Sequence, residues 1–158
     1  MTSATLDADT LRANPYGTSV NADDIVEALG FLDDWESRYR YILDLGRELP
    51  AMPAALQTEE RLLRGCQSQV WIEHLLHDGH LWFAVDADAH IVRGLVAVVL
   101  AALNGRTPEA LLAVDIDAYF GQLDLLKHLS QTRGNGLRAL VARMRAIATA
   151  ARPAAPAG

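Results

Sequence analysis

The residue of this chain best suited to chemistry is its single cysteine, Cys66, in the run Gly65-Cys66-Gln67-Ser68. A lone thiol cannot form a disulfide within the chain or supply a CxxC metal or redox site. It can act by itself, as a nucleophile or as a temporary carrier of a transferred group. Gly65 allows a positive φ beside the thiol and polar residues follow it, so the pattern predicts an accessible loop. The alternative interpretation is a small buried hydrophobic residue, which is the commoner role of a free cysteine.

Other arrangements of reactive side chains have weaker support. His74, His77 and His80 lie near one end of a predicted hairpin, but their spacing only loosely meets the paired-ligand pattern of zinc sites. A cysteine-protease site needs a histidine that orients the thiol, and neither His90 nor His128 has a supporting motif. We therefore expect no metal site, and we interpret the hairpin histidines as solvated turn residues.

Composition and charge exclude several classes of partner. The chain has 158 residues, of which 51% are hydrophobic and 22% charged, and this is typical of one soluble globular domain. Its net charge of −6 argues against nucleic-acid binding, which requires a basic surface. The longest apolar stretch, Ile91 to Leu103, is too short to span a bilayer, so we expect no membrane partner. The single cysteine and the lack of a secretory signal predict a cytoplasmic protein.

The pattern predicts one domain over residues 21–151, with flexible tails at 1–20 and 152–158. The first tail shows no apolar periodicity, and Pro153 and Pro156 stop any helix in the second. We find no internal repeat and no linker long enough to divide the domain.

Strand periodicity is confined to the middle of the chain. Apolar residues alternate on both sides of His77-Asp78-Gly79-His80, which predicts an antiparallel hairpin. The segment from Arg61 to Arg64 is a weaker candidate for a third, short strand. Asp86 and Asp88 are expected to end the hairpin and to cap the helix that follows.

Helical periodicity dominates on both sides of this hairpin, which gives an α+β layout. Gly134 and Gly136 are expected to be local breaks before the last helix, which would open after Thr132 or Gly134. Helices are predicted over residues 22–29 with Asn21 as cap, from Trp35 to Gly46 or Pro50, over 89–103, after Thr107, around 118–120 and at the C-terminal end.

Several segments, in order from about residue 33 to 150, match the pattern of a known family. They include Trp35-Glu36-x-Arg38-Tyr39-x-Tyr41-Ile42, Gly65-Cys66-Gln67-Ser68-Gln69-Val70-Trp71, Asp86-Ala87-Asp88-Ala89-x-Ile91-Val92-x-Gly94-Leu95 and Leu129-Ser130-x-x-Arg133-x-Asn135-Gly136-Leu137. Together they resemble the SufE family of cysteine desulfuration proteins. The chain departs from the family at Ala87, where members often carry serine, and at Thr132, where they often have Ser-Arg in place of Thr-Arg.

The resemblance implies both a fold and an activity. The fold would be SufE/IscU-like, with a small antiparallel sheet of about three strands packed against helices from both ends of the chain. The activity would be that of a sulfur acceptor: Cys66 takes persulfide sulfur from a SufS-like or CsdA-like cysteine desulfurase and stimulates that enzyme. The sulfur would then pass to a downstream iron–sulfur scaffold for cluster assembly. The chain would need no cofactor, since pyridoxal phosphate belongs to the desulfurase.

The expected site centres on Cys66 as the persulfide-bearing residue, with Gly65, Gln67 and Ser68 as its supporting loop. Arg133 and Asp86 are candidate site residues or partner contacts. Two alternative functions stay open: a non-catalytic adaptor that activates a desulfurase allosterically, and an IscU-like scaffold, although cluster ligation generally requires several thiolates. The sequence also leaves open whether the chain forms a homodimer.

Overall fold

The computed structural model describes residues 7–64 and 68–152, and in these ranges a single hairpin lies between two groups of helices. The fold class is therefore α+β with a small antiparallel sheet, as the sequence predicts. The elements are α1 (Ala8–Arg12), α2 (Ala22–Gly30), α3 (Trp35–Arg47), β1 (Val70–His77), β2 (His80–Ala87), α4 (His90–Leu103), α5 (Pro108–Ala113), α6 (Ile116–Leu123) and α7 (Gln131–Ala151).

Side-chain caps explain where three of these helices begin. Asn21 and Asp24 form a reciprocal capping box at the start of α2, and the Asp34 carboxylate accepts a hydrogen bond from the Ser37 amide at the start of α3. Thr107 caps α5, whose first residue is a proline. Each cap satisfies amide groups that the first helical turn leaves without a partner.

The hairpin closes at Asp78 and Gly79, which both adopt positive φ, 50° and 79°. Two such residues produce the backbone twist that joins antiparallel strands by the shortest loop. The described residues contain two strands, not about three. The candidate third strand contributes one bridge, between Leu62 and Trp71, because Glu59–Arg61 forms a 3₁₀ turn just before it.

Helix α4 lies at the centre of the core, since nearly every residue from Ile91 to Leu103 is buried. It crosses α3 at very short distance. A Cβ added to Gly46 would lie 2.7 Å from the Gly94 amide nitrogen, so only glycine fits on both sides of this crossing. The two glycines thus fix the depth at which α3 packs on α4.

The predicted N-terminal tail differs from the structure over its described part. Residues 8–12 form α1, with Leu11 buried. Tyr16 is only 1% exposed and donates its hydroxyl hydrogen bond to the Leu45 carbonyl oxygen. Two isolated apolar residues give no periodicity, which is why the sequence pattern misses this packing. Residues 1–6 and 153–158 lie outside the described residues.

The start of α4 also differs from the prediction. Neither Asp86 nor Asp88 caps this helix; Ala89 holds the cap position and makes no side-chain hydrogen bond there. The Asp88 carboxylate accepts instead from the Gln69 amide, and the Asp86 carboxylate accepts from the Met52 amide.

Helix α7 begins earlier than predicted. Ser130 is its N-cap, with the hydroxyl oxygen accepting from the Arg133 amide at 3.2 Å, so Gly134 and Gly136 lie inside the helix rather than before it. A serine cap and a long buried apolar stripe outweigh the cost of about 1 kcal/mol that each interior glycine adds.

Candidate functional site

A backbone hydrogen bond joins the described residues on either side of Cys66. The Leu63 amide donates to the Val70 carbonyl oxygen at 2.7 Å, so the chain leaves the sheet after Leu63 and returns at Val70. Gly65, Cys66 and Gln67 lie outside the described residues. What the structure does establish is the position of both ends of the loop.

A second pair of hydrogen bonds holds the C-terminal end of this loop. The Gln69 amide donates to the Asp88 carboxylate at 3.2 Å, and the Asp88 amide donates to the Gln69 carbonyl oxygen at 3.1 Å. Asp88 directly follows β2. The loop end is therefore fixed to the residue that links the hairpin to α4.

A cavity of about 330 Å³ lies beside the loop ends. Leu63 and Ser68, which stand on either side of the undescribed segment, both contribute to its wall. The rest of the wall comes from β1, α4 and the beginning of α7, namely Val70, Val92, Leu95, Val96, Ser130, Thr132, Arg133, Gly136, Leu137 and Leu140. Seven of these twelve residues are apolar, and the polar side chains among them are three hydroxyls and one guanidinium.

Arg133 is the one charged side chain among the described residues that line this cavity. It is exposed, and its backbone is fixed in the first turn of α7 by the Ser130 cap. No carboxylate of the described residues pairs with it. A guanidinium and the positive end of a helix dipole both favour a nearby anion, such as a thiolate or persulfide. The structure thus brings the predicted residues Ser68 and Arg133 to the same cavity.

Asp86 has a different environment, because it is 4% exposed and does not line the cavity. Its carboxylate forms an ion pair with Arg93 and also accepts from the Met52 amide at 2.9 Å. Arg93 in addition donates to the carbonyl oxygens of Gly46 and Leu49, at the end of α3. This arrangement ties β2, α3 and α4 together.

Sequence reasoning missed the role of Arg93, although a signal was present. An arginine interrupts the apolar run of α4, and a cation in a buried helix needs a nearby anionic partner. Asp86 stands seven residues before it. The roles of Ser130 and Thr132 in the cavity wall were also missed, because they depend on how α7 packs against α4.

The histidines are not gathered into a metal-binding group. His74, His77 and His80 lie on the hairpin, whereas the His128 ring stacks on Trp35 with centroids 4.4 Å apart. Among residues 7–64 and 68–152, no cluster of three His, Cys, Asp or Glu side chains could hold a metal ion. In the same ranges no helix combines the length and apolarity needed to cross a membrane.

Comparison with known proteins identifies the family. Residues 23–148 match the family model of SufE, described as an Fe-S metabolism associated domain. The chain belongs to the SufE family. A SufE-like protein of Rhizobium meliloti is 43% identical over 136 residues, which cover 84% of this chain and 97% of that protein. The sulfur acceptor protein CsdE of Escherichia coli is 38% identical over 128 residues, which cover 80% of this chain and 87% of CsdE.

A solved structure supports the fold independently of close sequence similarity. The solution structure of a hypothetical protein from Thermus thermophilus superposes with a TM-score of 0.67 at 23% identity, covering 82% of this chain and 94% of that one. At this identity the likeness concerns the fold alone. The α+β fold with a small antiparallel sheet, expected from the sequence, is thus confirmed.

Proposed function

We propose that this SufE-family protein is a sulfur acceptor and carrier that takes persulfide sulfur from a cysteine desulfurase onto Cys66. The observation that carries the proposal is the position of the only cysteine, in a loop whose two ends line a cavity together with Arg133. The relative that is named a sulfur acceptor protein, CsdE, supports the same activity.

The proposed transfer is an exchange between a thiolate and a persulfide. The Cys66 thiolate attacks the outer sulfur of the desulfurase persulfide, and a new S–S bond forms as the S–S bond in the desulfurase breaks. The desulfurase cysteine leaves as a thiolate, and the transferred sulfur keeps its proton as Cys66-S-SH. No external oxidant or reductant is consumed. Because the chain has no second cysteine, it cannot release the sulfur by forming an internal disulfide.

The cavity supports the storage part of this function. Its volume of about 330 Å³ is ample for a side chain that carries an additional sulfur atom, and seven of its twelve lining residues are apolar. We propose that Cys66 is sheltered there at rest and turns outward when the partner binds. Arg133 would stabilise the anionic sulfur or grip a carboxylate of the desulfurase.

The proposed partners follow from this chemistry. A SufS-like or CsdA-like desulfurase supplies both the sulfur and its pyridoxal phosphate, so the carrier itself needs no cofactor. The carrier stimulates the desulfurase by clearing its persulfide, and then passes the sulfur to an iron–sulfur scaffold in the cytoplasm.

The decisive experiment is mass spectrometry of the protein after incubation with a cysteine desulfurase and cysteine. We expect a gain of one sulfur atom that a thiol reductant removes, and no gain in Cys66→Ser, because a hydroxyl cannot hold sulfane sulfur. Desulfurase turnover is measured with both proteins. If Cys66→Ser stimulated turnover as well as the unmodified chain, the protein would be an allosteric adaptor and the carrier function would be refuted.

A further inference from the structure

Helix α7 carries positive charge only. It contains Arg133, Arg138, Arg143 and Arg145 and no aspartate or glutamate, although the whole chain has a net charge of −6. Within the part of the chain that the structure describes, none of the four pairs with a carboxylate, whereas six other lysine or arginine side chains do. Arg145 is half-buried and donates to the Leu112 carbonyl oxygen, so the exposed cations of this helix are Arg133, Arg138 and Arg143.

Helical spacing places the exposed arginines on two different sides of α7. Arg143 follows Gly136 by seven residues, so the two lie within about 20° of each other around the helix axis. Gly136 lines the cavity, which puts Arg143 on the cavity side. Arg138 is only two residues beyond Gly136 and lies on the opposite side, since each residue turns the helix by about 100°. Both arginines are exposed.

Arg133 and Arg143 both lie on the cavity side of the helix, about 80° apart around its axis. Ten residues separate them, which corresponds to about 15 Å along the axis. The first stands at the cavity and the second lies farther along the same helix, away from the Cys66 loop.

We propose that this cavity-side pair, Arg133 and Arg143, is a docking surface for an acidic face of the cysteine desulfurase. The inference rests on the proposed function, because the donor must bring its persulfide to the loop beside this cavity. Two cations about 15 Å apart on one rigid helix define the orientation of the partner as well as its position. Complementary charge accelerates association and rejects wrong partners. Outside α7 the sequence has 20 acidic and ten basic residues, a balance that disfavours binding of nucleic acid.

The test compares Arg143→Glu with Arg138→Glu. The two variants change the same helix by the same charge at exposed positions, but on opposite sides. Sulfur transfer from a cysteine-charged SufS-like or CsdA-like desulfurase is measured at limiting and saturating concentrations of the chain, and binding is measured separately by calorimetry. We expect Arg143→Glu to raise the half-saturating concentration about three- to tenfold at low salt, with an unchanged rate at saturation. The difference should shrink at high salt. Arg138→Glu should behave as the unmodified chain.

Three results would overturn the docking surface: equal weakening by both variants, no weakening by Arg143→Glu, or tighter binding of the unmodified chain to duplex DNA or anionic vesicles than to either desulfurase. Thermal melting of both variants excludes unfolding as a cause. If the chain bound a desulfurase in an Arg143-dependent way but Cys66 gained no sulfur, the carrier function would fail while the docking surface stood. Binding to neither desulfurase would refute both.

Discussion

The crossing of α3 and α4 leads to a prediction about stability. Whether Gly94→Ala raises or lowers the free energy of unfolding depends on the contacts of the added methyl group with Ile42. In Gly94→Ala, the added methyl carbon would lie 2.7 Å from Ile42 Cγ2 and closer still to the Ile42 carbonyl oxygen. Favourable carbon–carbon contacts lie at about 3.5–4.0 Å, so the contact is short by about 1 Å. Ile42 is 0% exposed and cannot move aside. The two helices must therefore separate.

The size of the effect is the difference between two contributions. Overpacking a close-packed core costs about 1–3 kcal/mol, and contact with backbone atoms puts this site at the upper end. Alanine in place of glycine inside a helix stabilises the folded state by about 1 kcal/mol, because alanine has the higher helix propensity. We therefore expect Gly94→Ala to lower the free energy of unfolding by about 2 kcal/mol, which corresponds to a fall in Tm of roughly 4–8 °C for a chain of this size.

The matched control is Gly121→Ala in α6, where an added Cβ meets nothing within 4 Å. The same substitution should there raise the free energy of unfolding by about 0.5–1 kcal/mol, because only the helix preference acts. Urea denaturation of both variants gives the two values on one scale. Equal stability of Gly94→Ala and the unmodified chain, or changes of the same sign in both variants, would refute the close crossing.

Four further predictions concern the site and its support. The Cys66 thiol of the free protein should react with an alkylating reagent more slowly than a small free thiol, and addition of a desulfurase should accelerate it; a fast, partner-independent reaction would contradict the sheltered state. Arg133→Ala should leave Tm nearly unchanged and slow sulfur transfer, and unchanged transfer at limiting partner concentration would remove Arg133 from the site. Asp88→Ala should speed alkylation of Cys66 without loss of helix content by circular dichroism, because it deletes an acceptor that holds the loop end. Asp86→Asn should lower the free energy of unfolding by about 3 kcal/mol in urea, since it leaves the half-buried Arg93 without its charged partner; a loss below 1 kcal/mol would contradict that role.

Local chemistry made the hairpin and the helix caps predictable from sequence. The Asp78-Gly79 turn, the Asn21 cap and the Thr107-Pro108 start each depend on residues within one turn of the chain, and the structure contains all three. In contrast, Asp88 has the composition of a helix cap but binds the Gln69 amide of a different segment. Its sequence neighbours favour the cap, and only the packing of the loop against the hairpin decides otherwise.

The packing of the N-terminal residues and the cavity could not be predicted, because both depend on long-range contacts. Tyr16 is buried by a contact with Leu45, twenty-nine positions away, and no local pattern encodes that distance. The cavity wall brings Ser68 to Arg133 only after α7 packs against α4. The proposed sulfur-bearing residue, in contrast, could be named from sequence because the chain has a single cysteine.

The two hydrogen-bonded residues that flank Cys66 set a limit on how far the proposed persulfide could reach. Cys66 stands three residues from Leu63 and three residues from Gln69, both of which are held by hydrogen bonds to the folded body. A fully extended chain spans at most about 3.5 Å per residue, so the Cα atom of Cys66 can lie no more than about 10 Å from either attachment while they remain intact, and the thiol reaches farther by the length of one side chain. A donor whose persulfide lies deeper than this below its own surface is out of range unless the whole domain enters its active-site opening. If Cys66 carries sulfur as proposed, the short distance between its two attachments limits which donors the protein can serve.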